Sequence, residues 1–250
     1  MKALVFAAGL GTRLRPLTDS CPKALVDVAG TPALGRVLRK LDECGVTDVV
    51  VNVHHFADMV ERYLSDSKPD GMNINISDER ACLLDTGGGL LAARRWLDST
   101  DNEPILIHNS DIMTDFPIRE MEHAHKASGA DATLLTSARE SSRGLLYDAG
   151  GQMRGWINNR TGEVRPGGVD PLQLTCRSFG GVHIVSPSLF DPLAEYASRH
   201  GRVFSITPFY IDYCRKLDIR QYEPEGEYRW FDIGRPDTLR KAQEWLKCEK

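Results

Sequence analysis

The chain begins with a continuous apolar run, Ala3 to Ala7, the pattern of a short strand covered on both faces. After a polar loop, Thr31 and Pro32 read as an N-cap and first helical residue, and Leu34, Val37, Leu38 and Leu41 recur at helical spacing until Gly45. The alternation then repeats, predicting strands at 48–53, 72–77, 104–108 and 130–136 and helices at 56–64, 88–97 and 117–128. Strands separated by helices imply right-handed crossovers and parallel pairing. The expected fold class is therefore α/β, a Rossmann-like, mainly parallel sheet flanked by helices.

The second half loses this rhythm. Residues 144–148 and 152–157 read as a hairpin around Ala149-Gly150-Gly151, and 178–185 as a further strand, with a segment rich in Gly, Pro and charge at 160–171 between them. This is an antiparallel excursion against one side of the sheet. Helices at 187–199 and 206–216, a strand at 219–223 and a helix from Pro236 complete the pattern. Nothing reads as a linker, repeat or low-complexity tract, so residues 1–250 are expected to form one domain.

Composition narrows the class. A 250-residue chain with 41% hydrophobic and 26% charged residues buries a sizeable core, which excludes disordered and disulfide-stapled classes. With 31 basic against 35 acidic side chains the net charge is -4, so a general affinity for nucleic acid is not expected and any anion must meet a local basic cluster. The six cysteines show no C-x-x-C spacing and read as isolated reduced thiols, pointing to the cytosol. No stretch has transmembrane length, so a membrane partner is not expected either.

The chemistry gathers after the first strand. In Ala8-Gly9-Leu10-Gly11-Thr12-Arg13-Leu14-Arg15-Pro16, two glycines let backbone N–H groups turn toward an anion at the carboxyl edge of the sheet. Leu14 fills the third glycine position of a dinucleotide fingerprint, and no Gly-Lys-Ser/Thr follows, which excludes both that fingerprint and a Walker A loop. Arg13, Arg15 and Lys23 supply enough cationic charge for a triphosphate with pyrophosphate as leaving group; the alternative is a tight turn with solvated basic residues. Asp111 follows the strand 104–108 and suits a hard divalent ion, or else caps the next helix. Asp115, ahead of Phe116-Pro117, reads better as a cap. Asp232, between aromatic residues and Gly234, is either a cation ligand or a turn residue. The pairs His54-His55 and His123-x-His125 lack a third ligand and read as strand-end and helix-surface residues.

Together, residues 7–18 (AAGLGTRLRPLT) and Pro22-Lys23-Ala24-Leu25-Val26 resemble the signature of the sugar-1-phosphate nucleotidyltransferases. The likeness continues through Leu84-Asp85-Thr86-Gly87-Gly88-Gly89, Asn109-Ser110-Asp111, Phe179-Gly180-Gly181-Val182 and Trp230-Phe231-Asp232-Ile233-Gly234. It is nearest in look to the N-acetylmuramate 1-phosphate uridylyltransferases and the mannose- or heptose-1-phosphate guanylyltransferases.

That resemblance implies the nucleotide-diphospho-sugar transferase fold, with a nucleoside triphosphate and a sugar 1-phosphate as partners and Mg2+ as cofactor. It assigns catalysis to Arg13, Lys23 and Asp111, the metal to Asp111 and Asp232, and the nucleotide to Ala8, Gly9, Gly11, Thr12, Arg13, Lys23, Glu79, Thr86 and Gly87. Asn109, Gly144, Arg160 and Gly181 fall at sugar-pocket positions. Arg80 stands where relatives carry a base-reading Gln or Glu, which leaves uridine or guanosine open, and Asp78, Glu79 and Arg80 read equally as a solvated loop. Asn158-Asn159-Arg160 replaces a Glu-Lys pair, and Arg160 either grips the sugar phosphate or is an exposed loop cation. The chain is expected to act as a monomer or small homo-oligomer. A non-catalytic nucleotide-sugar-binding regulatory protein on the same fold is the alternative reading.

Overall fold

The computed structural model describes residues 1–98 and 101–248. In chain order the strands and helices are β1 (Lys2–Phe6), β2 (Asp27–Val28), β3 (Thr31–Pro32), α1 (Ala33–Glu43), β4 (Asp48–Val53), α2 (Ala57–Ser67), β5 (Asn73–Asp78), α3 (Asp85–Leu97), β6 (Ile105–Asn109), β7 (Ile112–Thr114) and α4 (Ile118–Ser128). The second half holds β8 (Ala132–Ser137), β9 (Arg143–Tyr147), β10 (Met153–Asn158), β11 (Val164–Arg165), β12 (Thr175–Val185), α5 (Phe190–His200), α6 (Ile206–Tyr213), β13 (Ile219–Tyr222), β14 (Trp230–Asp232) and α7 (Pro236–Cys248).

The central sheet is mixed, mostly parallel in its first half. β5, β4, β1 and β6 run parallel side by side, and the apolar β1 sits at their centre with Ala3, Leu4 and Val5 fully buried. The long β12 joins the two halves. It pairs antiparallel with β6 and β8 over its C-terminal part, while Thr175, Cys176 and Arg177 pair with β9, which leads on to β10 and β11. The expected antiparallel excursion is thus built from β9, β10 and β11. Between Phe179 and His183 the β8 register shifts, at Gly180 and Gly181, and Gly181 has φ +72°, a left-handed conformation that favours glycine.

Two apolar layers cover the sheet. α1, α4 and α7 pack on one face; Leu34, Val37, Leu38 and Leu41 of α1 are each at most 3% exposed, and burying each stabilises the fold by about 1.5–3 kcal/mol. α3, α5 and α6 cover the other face through Leu90, Phe190, Phe209 and Tyr210. The expected N-cap at Thr31 is corrected: Thr31 and Pro32 pair with Asp27 and Val28, and α1 begins at Ala33. The helix expected from Gly88 begins earlier, at Asp85, and takes the Thr-Gly-Gly-Gly stretch into its first turns. The small ribbon of β7 and β14 had no counterpart in the sequence pattern.

Candidate active site

The loop after β1 lies at the carboxyl edge of the parallel strands. Its conformation is held from below by Asn52 of β4, whose Oδ1 accepts from Ala7 N at 2.7 Å and Ala8 N at 3.3 Å. Asn52 Nδ2 donates in turn to Glu79 Oε1 at 2.9 Å, and Glu79 Oε2 accepts from Leu84 N at 2.9 Å. Glu79 is 2% exposed with both oxygens engaged, so it braces two loops and is not the solvated loop residue that was the alternative reading. Arg80 is drawn to the outside by Asp58, Glu61 and Asp78, whose hydrogen bonds push its pKa further up.

Gly11 has φ +65° and opens a single 3-10 turn, Thr12–Leu14, with Thr18 Oγ1 donating to its carbonyl at 2.8 Å. This turn presents Arg13 toward the cleft. Arg15 instead points to Asp19, at 3.3 Å, on the exposed side. Lys23 Nζ donates to Asp111 Oδ2, and Arg13 Nη2 stands 3.8 Å from Asp232 Oδ2.

The two carboxylates come from distant parts of the chain, Asp111 near its middle and Asp232 near its C-terminal end. β14 pairs with β7 so that Asp232 faces Ile112, and Ile233 N donates to Asp111 O at 2.9 Å. Asp232 Oδ1 accepts from Gly234 N at 2.8 Å. Asp115 does not join them: its side chain accepts from Arg229 N at 2.6 Å on the far flank of the ribbon.

Two adjoining chambers share Phe6, Thr86, Asn109 and Asp111. The smaller, about 370 Å3, is lined by Ala7, Ala8, Gly9, Leu83, Asp85 and Val203 together with Lys23. The larger, about 660 Å3, contains Arg13, Asp232, Gly181, Arg139, Trp230 and His183. Asn109 and Gly181 meet there: a Cβ on Gly181 would stand 2.9 Å from Asn109 Nδ2.

Three expected contacts fall elsewhere. Gly87 and Gly88 donate their N–H groups to Phe204 O at 2.9 and 3.1 Å, so this helix start is packed against the chain before α6 and does not offer free donors. Gly144 is buried against Cys176, whose Sγ a Cβ would meet at 2.2 Å, and lines neither chamber. Arg160 sits in a separate open hollow with Asn159 and Cys176, adjoining the larger chamber through Arg139, Glu140 and Ser141.

The histidines divide in an unexpected way. His54 Nδ1 is 2.8 Å from Glu79 O, a strand-end role as expected. His125 is not a helix-surface residue but is 3% exposed, tied to Thr133 Oγ1 at 2.8 Å and Ser186 Oγ at 3.1 Å. Among the described residues no three His, Cys, Asp or Glu side chains gather as a metal cluster, and no helix is long and apolar enough to cross a membrane.

Arg139 was not singled out in the sequence. Its guanidinium lies 3.5 Å from the centre of the Trp230 ring and donates to Phe179 O at 3.2 Å, while Trp230 Nε1 donates to Gly180 O at 2.8 Å. The signal available was indirect: Trp230 lies in a quoted motif, but nothing local marks Arg139 as its partner.

A basic loop after the first strand of a mixed α/β sheet thus faces two carboxylates across a divided cleft, at the carboxyl edge where open α/β sheets bind their ligands. The chain belongs to the nucleotidyl transferase family, whose sequence profile matches residues 2–145. It is 34% identical over 242 residues to mannose-1-phosphate guanyltransferase beta-B of Xenopus laevis, covering 94% of this chain and 62% of that protein. It is 30% identical over 253 residues to N-acetylmuramate alpha-1-phosphate uridylyltransferase of Neisseria meningitidis, covering 97% of both. The chain thus spans about 62% of the length of the Xenopus guanyltransferase relatives. In fold it is similar to UDP-glucose pyrophosphorylase from Acinetobacter baumannii, with a TM-score of 0.78, 18% identity, and coverage of 99% of this chain and 93% of that one. HddC from Yersinia pseudotuberculosis complexed with GMP-PN gives a TM-score of 0.72 at 21% identity, covering 98% and 99%.

Proposed function

We propose that this chain transfers a nucleoside monophosphate from a nucleoside triphosphate to a sugar 1-phosphate. An oxygen of the sugar phosphate attacks the α-phosphorus, the new P–O bond forms as the bond to the β-phosphate bridge breaks, and pyrophosphate leaves. The carrying observation is the pairing of Lys23 with Asp111 and of Arg13 with Asp232 where the two chambers meet. Two cations and two carboxylates neutralise one another there. Arrival of a triphosphate gives the cations stronger anionic partners and releases the carboxylates.

Those carboxylates fit a hard divalent ion. They offer only oxygen donors, lie on adjoining backbone, and leave the remaining positions to phosphate oxygens and water, as Mg2+ requires. Asp111 and Asp232 would hold Mg2+, which when bound supplies charge neutralisation at the α-phosphate. Arg13 and the N–H groups near Gly9 and Gly11 hold the β and γ phosphates, and Lys23 neutralises charge beside the reacting group. Catalysis is then positioning and electrostatics, with no covalent enzyme intermediate.

The smaller chamber accepts the base and ribose, the larger the sugar. With both oxygens of Glu79 engaged, Asp85 is the carboxylate beside Leu83 and Thr86, and it suits the adjacent N–H donors of guanine. The relatives' names support mannose 1-phosphate with a guanosine nucleotide, or N-acetylmuramate 1-phosphate with a uridine nucleotide. The test is Asp111→Asn: pyrophosphate release with Mg2+ should fall by at least roughly 100-fold while the fold persists. Wild-type turnover in this variant would overturn the assignment.

A further inference from the structure

The larger chamber holds a side chain that the proposed chemistry leaves unused. His183 on β12 is 2% exposed, yet it lines the chamber beside Phe179 and Thr207. Neither ring nitrogen has a hydrogen-bond partner among the described residues. Aromatic packing alone fixes the ring, with Phe179 at 5.4 Å and Tyr210 edge-on at 5.8 Å between centroids. The backbone is fixed as well, opposite Ile107 of β6 and Leu134 of β8.

Other buried imidazoles in this chain are treated differently. Both nitrogens of His125 are engaged, and His108 keeps one bond, its Nδ1 lying 2.9 Å from Asn109 O while its Nε2 has no partner among the described residues, so His183 alone of the three has both nitrogens unpartnered. A buried polar atom without a partner destabilises a fold, so an imidazole left with two such atoms on a cavity wall is matched to something that enters the cavity. Burial holds the His183 pKa down at about 3, which leaves the ring neutral near pH 7 with one N–H donor and one acceptor nitrogen. A phosphate is better met by Arg13 or Arg139 in the same chamber. A neutral imidazole suits an uncharged group that can both donate and accept.

We infer that His183 reads an uncharged ring substituent of the sugar, a hydroxyl or an acetamido group, and is a specificity-determining residue for the acceptor. The polar wall is completed by Thr207 and by Thr86 and Ser205, whose hydroxyls are 3.3 Å apart. This inference rests on the sugar-phosphate reading above and adds which wall of the chamber selects the sugar.

The experiment compares kcat/KM for mannose, glucose and N-acetylmuramate 1-phosphates, and for deoxy analogues of whichever is used, in wild type and in His183→Leu and His183→Gln. Wild type should discriminate against one deoxy analogue by roughly 10- to 100-fold, the loss of one hydrogen bond from a buried partner. In His183→Leu that discrimination should shrink to about threefold or less with KM for the nucleoside triphosphate unchanged, and His183→Gln should restore part of it. An unchanged ranking of sugars in His183→Leu would overturn the inference. Should that variant not fold, imidazole 15N resonances of the wild-type protein decide: the His183 nitrogens, assigned by their absence in His183→Gln, should shift on adding the sugar 1-phosphate, and a static resonance would overturn it. Absence of turnover by wild type with every pair of substrates is a separate result, which would overturn the reaction and this inference with it.

Discussion

Gly234 is the position where a single methyl group tests the site most directly. A Cβ there would stand 2.7 Å from Arg13 Nη2, 2.7 Å from Asp232 Oδ1 and 3.0 Å from Lys23 Nζ. Ordinary contact begins near 3.4 Å, so the Arg13 and Asp232 termini would have to retreat by roughly 0.7 Å, a misplacement large enough to disturb an in-line transfer. All three contacts are far ends of side chains, and Gly234 is not among the positive-φ residues, so the backbone has no reason to unfold. Gly234→Ala is therefore expected to lower kcat/KM for pyrophosphate release by roughly 10- to 100-fold. That corresponds to about 1.4–2.7 kcal/mol of lost transition-state stabilisation. The thermal midpoint should move by no more than about 2 °C. A coupled pyrophosphate assay and a melting curve on the same preparation separate the two effects. Activity within twofold of wild type would refute the placement of these groups at the reacting centre, and a large fall in melting temperature would refute the claim that the methyl is felt only by side-chain ends.

Asn52→Leu removes the amide that joins Ala7 and Ala8 to Glu79, leaving buried N–H groups and a buried carboxyl oxygen without that partner. It should destabilise the fold by about 2–3 kcal/mol. The melting temperature would then fall by roughly 5–10 °C; an unchanged curve would show that the tie carries no weight. Acid should also destabilise the protein through its buried histidines. Burial lowers the pKa from the ordinary 6.5 to about 4 for His108 and about 3 for His183, so between these limits the unfolded chain binds more protons than the folded one. Stability from each ring is complete above pH 6.5 and is lost as pH falls, by about 1.4 kcal/mol per pH unit until the folded value is reached. Urea midpoints between pH 7.5 and 5 should decline, and His108→Gln should flatten that decline; an equal slope in the variant would contradict the neutral assignment.

The parallel half of the sheet was legible because its strands and helices announce themselves by local period. The run 3–7 appears as β1 and the run 48–53 as β4, and the α1 positions Leu34, Val37, Leu38 and Leu41 are all buried. The place of the basic loop at the sheet edge was legible for the same reason, since Gly9, Gly11, Arg13 and Lys23 follow β1 closely in the chain. What was not legible depends on distant partners. Glu79 read equally as a solvated residue because its charge stands in a loop, but Asn52, 27 residues away, takes its carboxyl group into the core. The Asn within Asp48–Val53 was the available clue, a polar residue at a position an apolar strand would fill. Gly87 and Gly88 looked like open donors until residues near 204 closed over them. His183 and Arg139 owe their place to β12 and to Trp230, which no local pattern could pair.

The ribbon of β7 and β14 has a consequence for the order in which the protein becomes complete. All ten strands of the main sheet lie within the first 222 residues, whereas Asp232 arrives on β14, later in the chain. A chain emerging from synthesis can therefore pair every strand of that sheet before its second cleft carboxylate exists. The ribbon closes only after that sheet is available, when Asp232 comes back to lie beside a strand edge laid down more than a hundred residues earlier, and α7 follows it in the chain.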